Sequence, residues 1–368
     1  MALTAVSINN VRAIDAPMKS FDGGGFTFLL LAALVALSAA NYAWAQSAAT
    51  EPVLSLSKGS APATSTGSGQ AYPVKPVRII VPFAPGANAD LIGRVVAQRV
   101  SPMWGQPVLL DNRPGGSTNI GSELVARAPA DGYTLLLVAP PIAINVSLFR
   151  KLPYDTLTDF APIILCTRVP NVLSVHPSVP ARSLRELVAL AKARPGQLNF
   201  GSGGQGSANH MAGELLKMSA GINIVHVPYK GSAPAITDGV GGHVEMIFVG
   251  ISSILQLIKA GKLRPLATGS EKRLPMIPHV PTFIEAGYPE MTTSVWFGLL
   301  APAATPADIV ARINADVAHV VAMPEVRKRL IDDGQEPGGG SPEDFGRFIR
   351  SEIAKYAKVV KAAGIRGE

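Results

Sequence analysis

Residues 78 to 100 read RIIVPFAPGANADLIGRVVAQRV, and residues 198 to 219 read LNFGSGGQGSANHMAGELLKMS. Each stretch passes from an apolar strand through a glycine-containing loop into the start of a helix. A turn of this kind leaves the first backbone N–H groups of the helix unpaired at the C-terminal edge of a sheet. With the positive end of the helix dipole behind them, those groups form a natural seat for an anion. Two such seats about a hundred residues apart suggest two domains that grip one small acid between them.

Outward from these segments, short β-rich runs alternate with helical patterns. VRIIVPF, QPVLLDN, YTLLLVA, FAPIILC, NVLSVHP, LNFGS, INIVHVPY, HVEMIFVG, LRPLATG and VWFGLLAP read as strands. LIGRVVAQRV, IGSELVARA, LRELVALAKA, HMAGELLKMS, APAITDGVGG and ISSILQLIKAG read as helices between them. The alternation implies an α/β chain with parallel sheets, helices on both faces and ligands beyond the C-terminal strand ends. Ser183, Thr305 and Ser341, each followed three residues later by Glu186, Asp308 or Asp344, fit capping boxes. The tail from Pro342 to Ala363 reads as one amphipathic helix with Phe345, Phe348, Ile349, Ile353, Tyr356 and Val360 on its buried stripe.

The 368 residues allow two domains, and 47% hydrophobic residues support a substantial core. Residues 1–45 read as a secretory signal peptide: Arg12 and Lys19 precede the apolar run Phe26 to Ala40, and Ala43-Trp44-Ala45 supplies a cleavage site before Gln46. The competing reading is an uncleaved anchor helix. Residues 46–71, rich in Ser, Thr, Ala, Gly and Pro, read as a flexible linker. The net charge is +7, and because Arg12, Lys19 and Lys58 are matched by Asp15, Asp22 and Glu51, the excess lies after residue 70. A basic folded part without Lys/Arg runs favours small anions over nucleic acid. The single cysteine, Cys166, excludes an internal disulfide and reads as a small buried side chain.

The strand pattern is most simply satisfied by a chain that leaves its first domain near residue 170, builds a second and then returns. This gives domain 1 at 72–170 and 297–368, domain 2 at 171–296, and two hinge strands. Within the first loop, Pro85 and Gly86 make the turn and Asn88 or Asp90 can cap the helix. A plain strand-to-helix turn explains the same residues. The second loop contains G-x-G-x-x-G at Gly201, Gly203 and Gly206, which invites a dinucleotide-binding reading. No acid follows at the end of INIVHVPYKG, however, where a ribose-binding group belongs. Ser202, Gln205 and Ser207 suit a carboxylate cradle instead. His210 can face the cleft or the core, and Lys230 can be a fixed charge or a solvated loop lysine. The six histidines lack metal-ligand spacing, and no catalytic motif is present, so neither enzyme chemistry, metal nor cofactor is expected.

These residues, together with blocks 72–90, 109–137, 151–163, 198–216, 225–248 and 294–306 in their order and spacing, resemble the Bug-type extracytoplasmic solute receptors of tripartite tricarboxylate transporters. The resemblance implies a two-domain periplasmic binding protein of type II, the Venus-flytrap fold. It also implies a monomer that takes a di- or tricarboxylate, an acidic amino acid or an aromatic acid to the transporter's membrane subunits. On one side of the ligand it points to Phe83, Ala84, Pro85, Gly86, Ala87 and Asp90. On the other it points to Gly201, Ser202, Gly203, Gly204, Ser207 and His210. Ala139, Pro140, Pro141 and the segment Val249 to Ser252 are expected as cleft walls, with Ile142, Tyr229, Ile251 and Trp296 at the ligand's far end. Ala87 departs from the family's usual second glycine, and its methyl is expected to narrow or bend the loop. A nucleotide-using oxidoreductase built on the Gly201 loop and an exported receptor for signalling are the alternatives.

Overall fold

The computed structural model describes residues 72–367, so the signal-peptide and linker readings lie outside the described residues. Among the described residues, ten strands and ten α-helices follow in chain order. Strands β1 (Val77–Val81), β2 (Val108–Asn112) and β3 (Thr134–Val138) alternate with helices α1 (Asn88–Trp104), α2 (Asn119–Ala126) and α3 (Pro141–Leu148). The long β4 (Phe160–Val175) leads to α4 (Leu184–Ala193), β5 (Asn199–Ser202), α5 (Ala208–Ala220) and β6 (Val225–Pro228). Next come α6 (Ser232–Gly241), β7 (Met246–Gly250), α7 (Ile251–Lys259), β8 (Arg264–Thr268) and β9 (Ser294–Pro302). Helices α8 (Ala307–Ala322) and α9 (Pro324–Asp332), strand β10 (Glu336–Gly339) and helix α10 (Pro342–Ala363) complete the chain.

Two mixed sheets share β4. In the first, the order is β2-β1-β3-β9-β4-β10, with β1 parallel to β2 and β3, and with β9, β4 and β10 antiparallel to their neighbours. The second runs β8-β4-β7-β5-β6, with β5 parallel to β6 and β7. FAPIILC and NVLSVHP, expected as separate strands, form the single 16-residue β4. Its partners change in the middle: Phe160 to Pro170 pair with β9, and Asn171 to Val175 pair with β7. Pro170 sits at the changeover, where its missing N–H interrupts no continuous ladder. Asn171 N–H instead donates to Thr293 O (3.0 Å), and Gly269 N–H donates to Asn171 O (2.8 Å). These bonds tie the second crossing to the first.

Alternation along β1 divides the packing. Ile79 and Val81 meet Ile92 and Val96 of α1 and Ile313 and Val317 of α8, whereas Ile80 faces the layer that includes Trp296, Phe345 and Tyr356. Helix α10 spans the expected residues and buries Phe345, Ile349, Glu352, Tyr356 and Val360; Phe348 and Ile353 are half-buried. Glu352 accepts a hydrogen bond from Trp296 Nε1 (2.9 Å) and pairs with Lys355, which donates to Thr292 O (3.1 Å). Cys166 is buried and free, and burial pushes its thiol up to about 12. No described helix is long and apolar enough to cross a membrane.

The cap expected at Thr305 is absent: Pro306 is the N-cap of α8, without a side-chain bond, and Thr305 Oγ1 is buried without a partner. Ser341 does form its capping box with Asp344. Ser183 accepts from Glu186 N–H, but the Glu186 carboxylate reaches Arg182 N–H instead of Ser183. Strand β10 was not legible in EPGG, which has no β-branched residue. It pairs because Gly338 admits close approach to the Leu165 carbonyl of β4.

Candidate functional site

At the C-terminal ends of the parallel strands of both sheets lies a cavity of about 350 Å3. Five helices begin at its wall. Ala87, Asn88 and Ala89 open α1; Pro140 and Pro141 open α3; Ser207, Ala208 and Asn209 open α5; Gly231 and Ser232 open α6; and Gly250 and Ser253 belong to the start of α7. Phe83, Ala139, Val169, Val295, Phe297 and Gly203 complete the lining. None of these residues is ionisable. The positive potential at the wall therefore comes from converging helix termini, which carry roughly half an elementary charge each.

The first loop is fixed from behind. Gly86 has φ +80°, in the left-handed region that glycine enters without strain. Its N–H donates to Asp90 Oδ2 (3.0 Å). Asp90, 1% exposed, also receives Arg94 Nε at 2.9 Å and Asn112 Nδ2 at 3.1 Å, and the same amide donates to Phe83 O at 3.1 Å. Burial would raise the Asp90 pKa, but the Arg94 guanidinium, Gly86 N–H and Asn112 amide outweigh it and hold the carboxyl below its usual range. Asp90 is thus the anchor of the loop and not part of the cavity wall. Ala87, on the cavity wall, has φ −69° and ψ 161°, ordinary extended backbone that any residue adopts.

The second loop closes on its own side chains. Ser207 caps α5 by accepting from His210 N–H at 3.2 Å. Ser202 is fully buried; its Oγ accepts from Gly204 N–H at 3.2 Å and lies 2.7 Å from His226 Nε2. Gly203 has Ser232 close against it: a Cβ there would lie 3.0 Å from Ser232 Oγ and 3.4 Å from Ser232 N.

Of the residues expected at the ligand, Phe83, Ala87, Ala139, Pro140, Gly203 and Ser207 line the cavity. Ala84, Pro85, Gly86, Asp90, Gly201, Ser202, Gly204, His210, Tyr229, Ile251 and Ser252 frame it without lining it. His210 is turned into the core and is 4% exposed. Tyr229 donates to Asp238 Oδ2 (2.7 Å); burial and that contact push its hydroxyl up to about 12. Gln205 is directed to Arg366 O (3.0 Å), and Lys230 is exposed and lies off the wall. Ile142, Ile251 and Trp296, expected at the far end, are at most 1% exposed and do not line the cavity; Val295 and Phe297, whose side chains alternate with that of Trp296 along β9, do.

Ala89, Ala208, Asn209, Gly231, Ser232, Ser253, Val169, Val295 and Phe297 line the cavity without having been singled out, and Asn88, read only as a possible cap, lines it without capping α1, whose N-cap is Ala87. Helix-start signals at Gly231-Ser232 and Gly250 could have found several of them; nothing local marks the β4 and β9 residues. Among the described residues no group of three or more His, Cys, Asp or Glu is placed to hold a metal ion.

Residues 92–365 match the family model described as tripartite tricarboxylate transporter family receptor. The chain is 37% identical to the protein BugT of Bordetella pertussis over 81% of this chain and 92% of that one. Among solved structures, that of Rhodopseudomonas palustris Rpa4515 with adipate superposes with a TM-score of 0.72 at 42% identity, covering 80% of this chain and 99% of the other. The periplasmic binding protein BugD superposes with a TM-score of 0.69 at 31% identity, covering 81% and 100%. The α/β architecture of two mixed sheets joined through hinge strands is the fold of these binding proteins.

Proposed function

This chain belongs to the tripartite tricarboxylate transporter family of receptors, and from that membership we propose that it captures a small carboxylate-bearing metabolite in the cavity and carries it, chemically unchanged, to the membrane subunits of such a transporter. The observation that carries the reading is the convergence of five helix N-termini on one cleft whose lining contains no ionisable side chain. An anion there is met by the dipole of α3, which opens on Pro140 and Pro141 and so offers no free N–H, by backbone N–H groups of the other four helices, and by the side chains of Ser207, Asn209 and Ser232. Each charge-assisted contact supplies about 1.5–3 kcal/mol. The apolar band of Phe83, Pro140, Pro141, Val169, Val295 and Phe297 suits a hydrocarbon body, as in a dicarboxylate or an aromatic acid. Adipate in the Rpa4515 structure is a ligand of that kind in a relative.

The change of partners along β4 at Pro170 and Asn171 supports lobes at 72–170 with 297–368 and at 171–296, closing about the two crossings. The leader-like residues 1–45 and the family membership support export to the periplasm. A thermal-shift screen of the mature protein against di- and tricarboxylates, amino acids, aromatic acids, NAD and ATP tests the reading. Ligand at a hundred times Kd stabilises by about 2.7 kcal/mol. Stabilisation by carboxylates is the expected result, and stabilisation by nucleotides alone would overturn the proposal.

A further inference from the structure

Behind the second loop, two histidines from different elements lie face to face. The rings of His210, on the first turn of α5, and His226, on β6, are stacked with centroids 3.7 Å apart and planes 10° from parallel. Phe200 of β5 tilts against His226 at 4.9 Å. Each imidazole reaches the backbone of the loop. Gly206 N–H donates to His210 Nδ1 (3.1 Å), while His226 Nε2 meets the Ser202 hydroxyl that receives Gly204 N–H.

A nitrogen that accepts a hydrogen bond carries no proton. His210 is therefore neutral in this arrangement, with its proton on Nε2, 3.7 Å from Glu214 Oε1. A proton arriving at Nδ1 takes the lone pair from Gly206 N–H and leaves that amide pressed against a cation. Gly206 has little room to give: its φ is +72°, and its Cα faces the Leu148 side chain of α3.

We propose that the His210–His226 stack positions the second anion-binding loop, and that the loop keeps its ligand-competent shape only while His210 Nδ1 is unprotonated. This rests on the carboxylate-receptor reading for its consequence at the ligand, though not for its effect on the loop. The charged groups that act on the pair are Glu214 and Lys217, both on α5; β5 contributes Phe200 and Ser202, and α3 contributes apolar Leu148. Burial, and after it His210, push His226 down to about 4, so the stack does not readily share a second charge. Burial would raise the Glu214 pKa, but the contacts with His210 and with Lys217 at 2.8 Å outweigh it and hold the carboxyl below its usual range.

Two measurements on the full mature protein test this, from about pH 7.5 to about pH 4.5. The first, without ligand, follows exchange protection of the Gly206 amide after correction for the intrinsic pH dependence of exchange. The second follows adipate affinity. In the wild type, protection of Gly206 is lost on acidification and adipate binds about tenfold more weakly at the acid end. His210→Asn places a non-titrating acceptor where Nδ1 lies, flattens the Gly206 profile and leaves in the adipate profile only the smaller fall that titration of the ligand's own carboxyls causes; His210→Leu removes the acceptor and leaves Gly206 unprotected at every pH.

Protection of Gly206 that does not change with pH in the wild type overturns the proposal, as does a His210→Asn profile identical to that of the wild type. If Gly206 protection follows the expected course while neither adipate nor any other carboxylate of the screen binds at any pH, positioning of the loop stands and the carboxylate reading falls.

Discussion

Asp90 makes the first loop a rigid object while staying off the cavity wall. Replacing it with Asn removes the charge that Arg94 and Gly86 N–H share, and urea denaturation should show a loss of about 2–3 kcal/mol at neutral pH. The sign with pH follows from the lowered pKa: the contribution is full above the unfolded carboxyl's range, near pH 4, and fades as pH falls through the folded value. The gap between wild type and Asp90→Asn should therefore close in acid. At Gly203 the expectation is the opposite. A valine there would press on Ser232 Oγ and N at the cavity wall, so adipate binding should weaken more than about tenfold while the melting transition stays cooperative. Unchanged affinity would remove the loop from the ligand's path. The strand–loop–helix pattern marked both loops, but not the direction of each side chain within them. Ser202 and His210 look as available as Ser207 in the sequence, and only packing against Phe200 and His226 turns them inward.

The helix starts carry measurable differences. Ser341 has both halves of its capping box, and Ser341→Ala should cost about 1 kcal/mol in chemical denaturation. The hydroxyl of Thr305, in the same local pattern, bonds to nothing. Thr305→Val, which removes an unpartnered buried hydroxyl at nearly constant shape, should fall within about 0.5 kcal/mol of wild type or stabilise. A loss as large as that of Ser341→Ala would mean that Thr305 caps α8 in solution. The contrast also shows where reading by element succeeds. Apolar periodicity located α10 and most of the strands because burial of one face is written into local spacing. It split β4 at Pro170 because proline ordinarily ends a strand, and it passed over β10 because EPGG pairs only through the close approach that Gly338 permits.

For the molecule as a whole, residues of both sheets wall one cavity, and the second loop touches the far side through Gln205 to Arg366 O and Gly206 to Leu148. Binding that closes two lobes about β4 and the second crossing should lower the radius of gyration in small-angle scattering when adipate is added; an unchanged radius at saturation would argue for a fixed cleft. The sequence by itself determined the α/β alternation, the two strand–loop–helix turns at the cavity, the return of the chain to its first sheet and the family. All of these rest on periodicity and on backbone geometry set by near neighbours. Only the tertiary structure decided that a further helix terminus, at Ser232, joins those two loops and the expected walls at Pro141 and Gly250, and that Val169, Val295 and Phe297 supply the apolar band. It also turned His210 away from the ligand and onto His226. Those outcomes depend on which strands lie side by side, and strand neighbours are chosen by long-range packing that no local stretch of chain encodes.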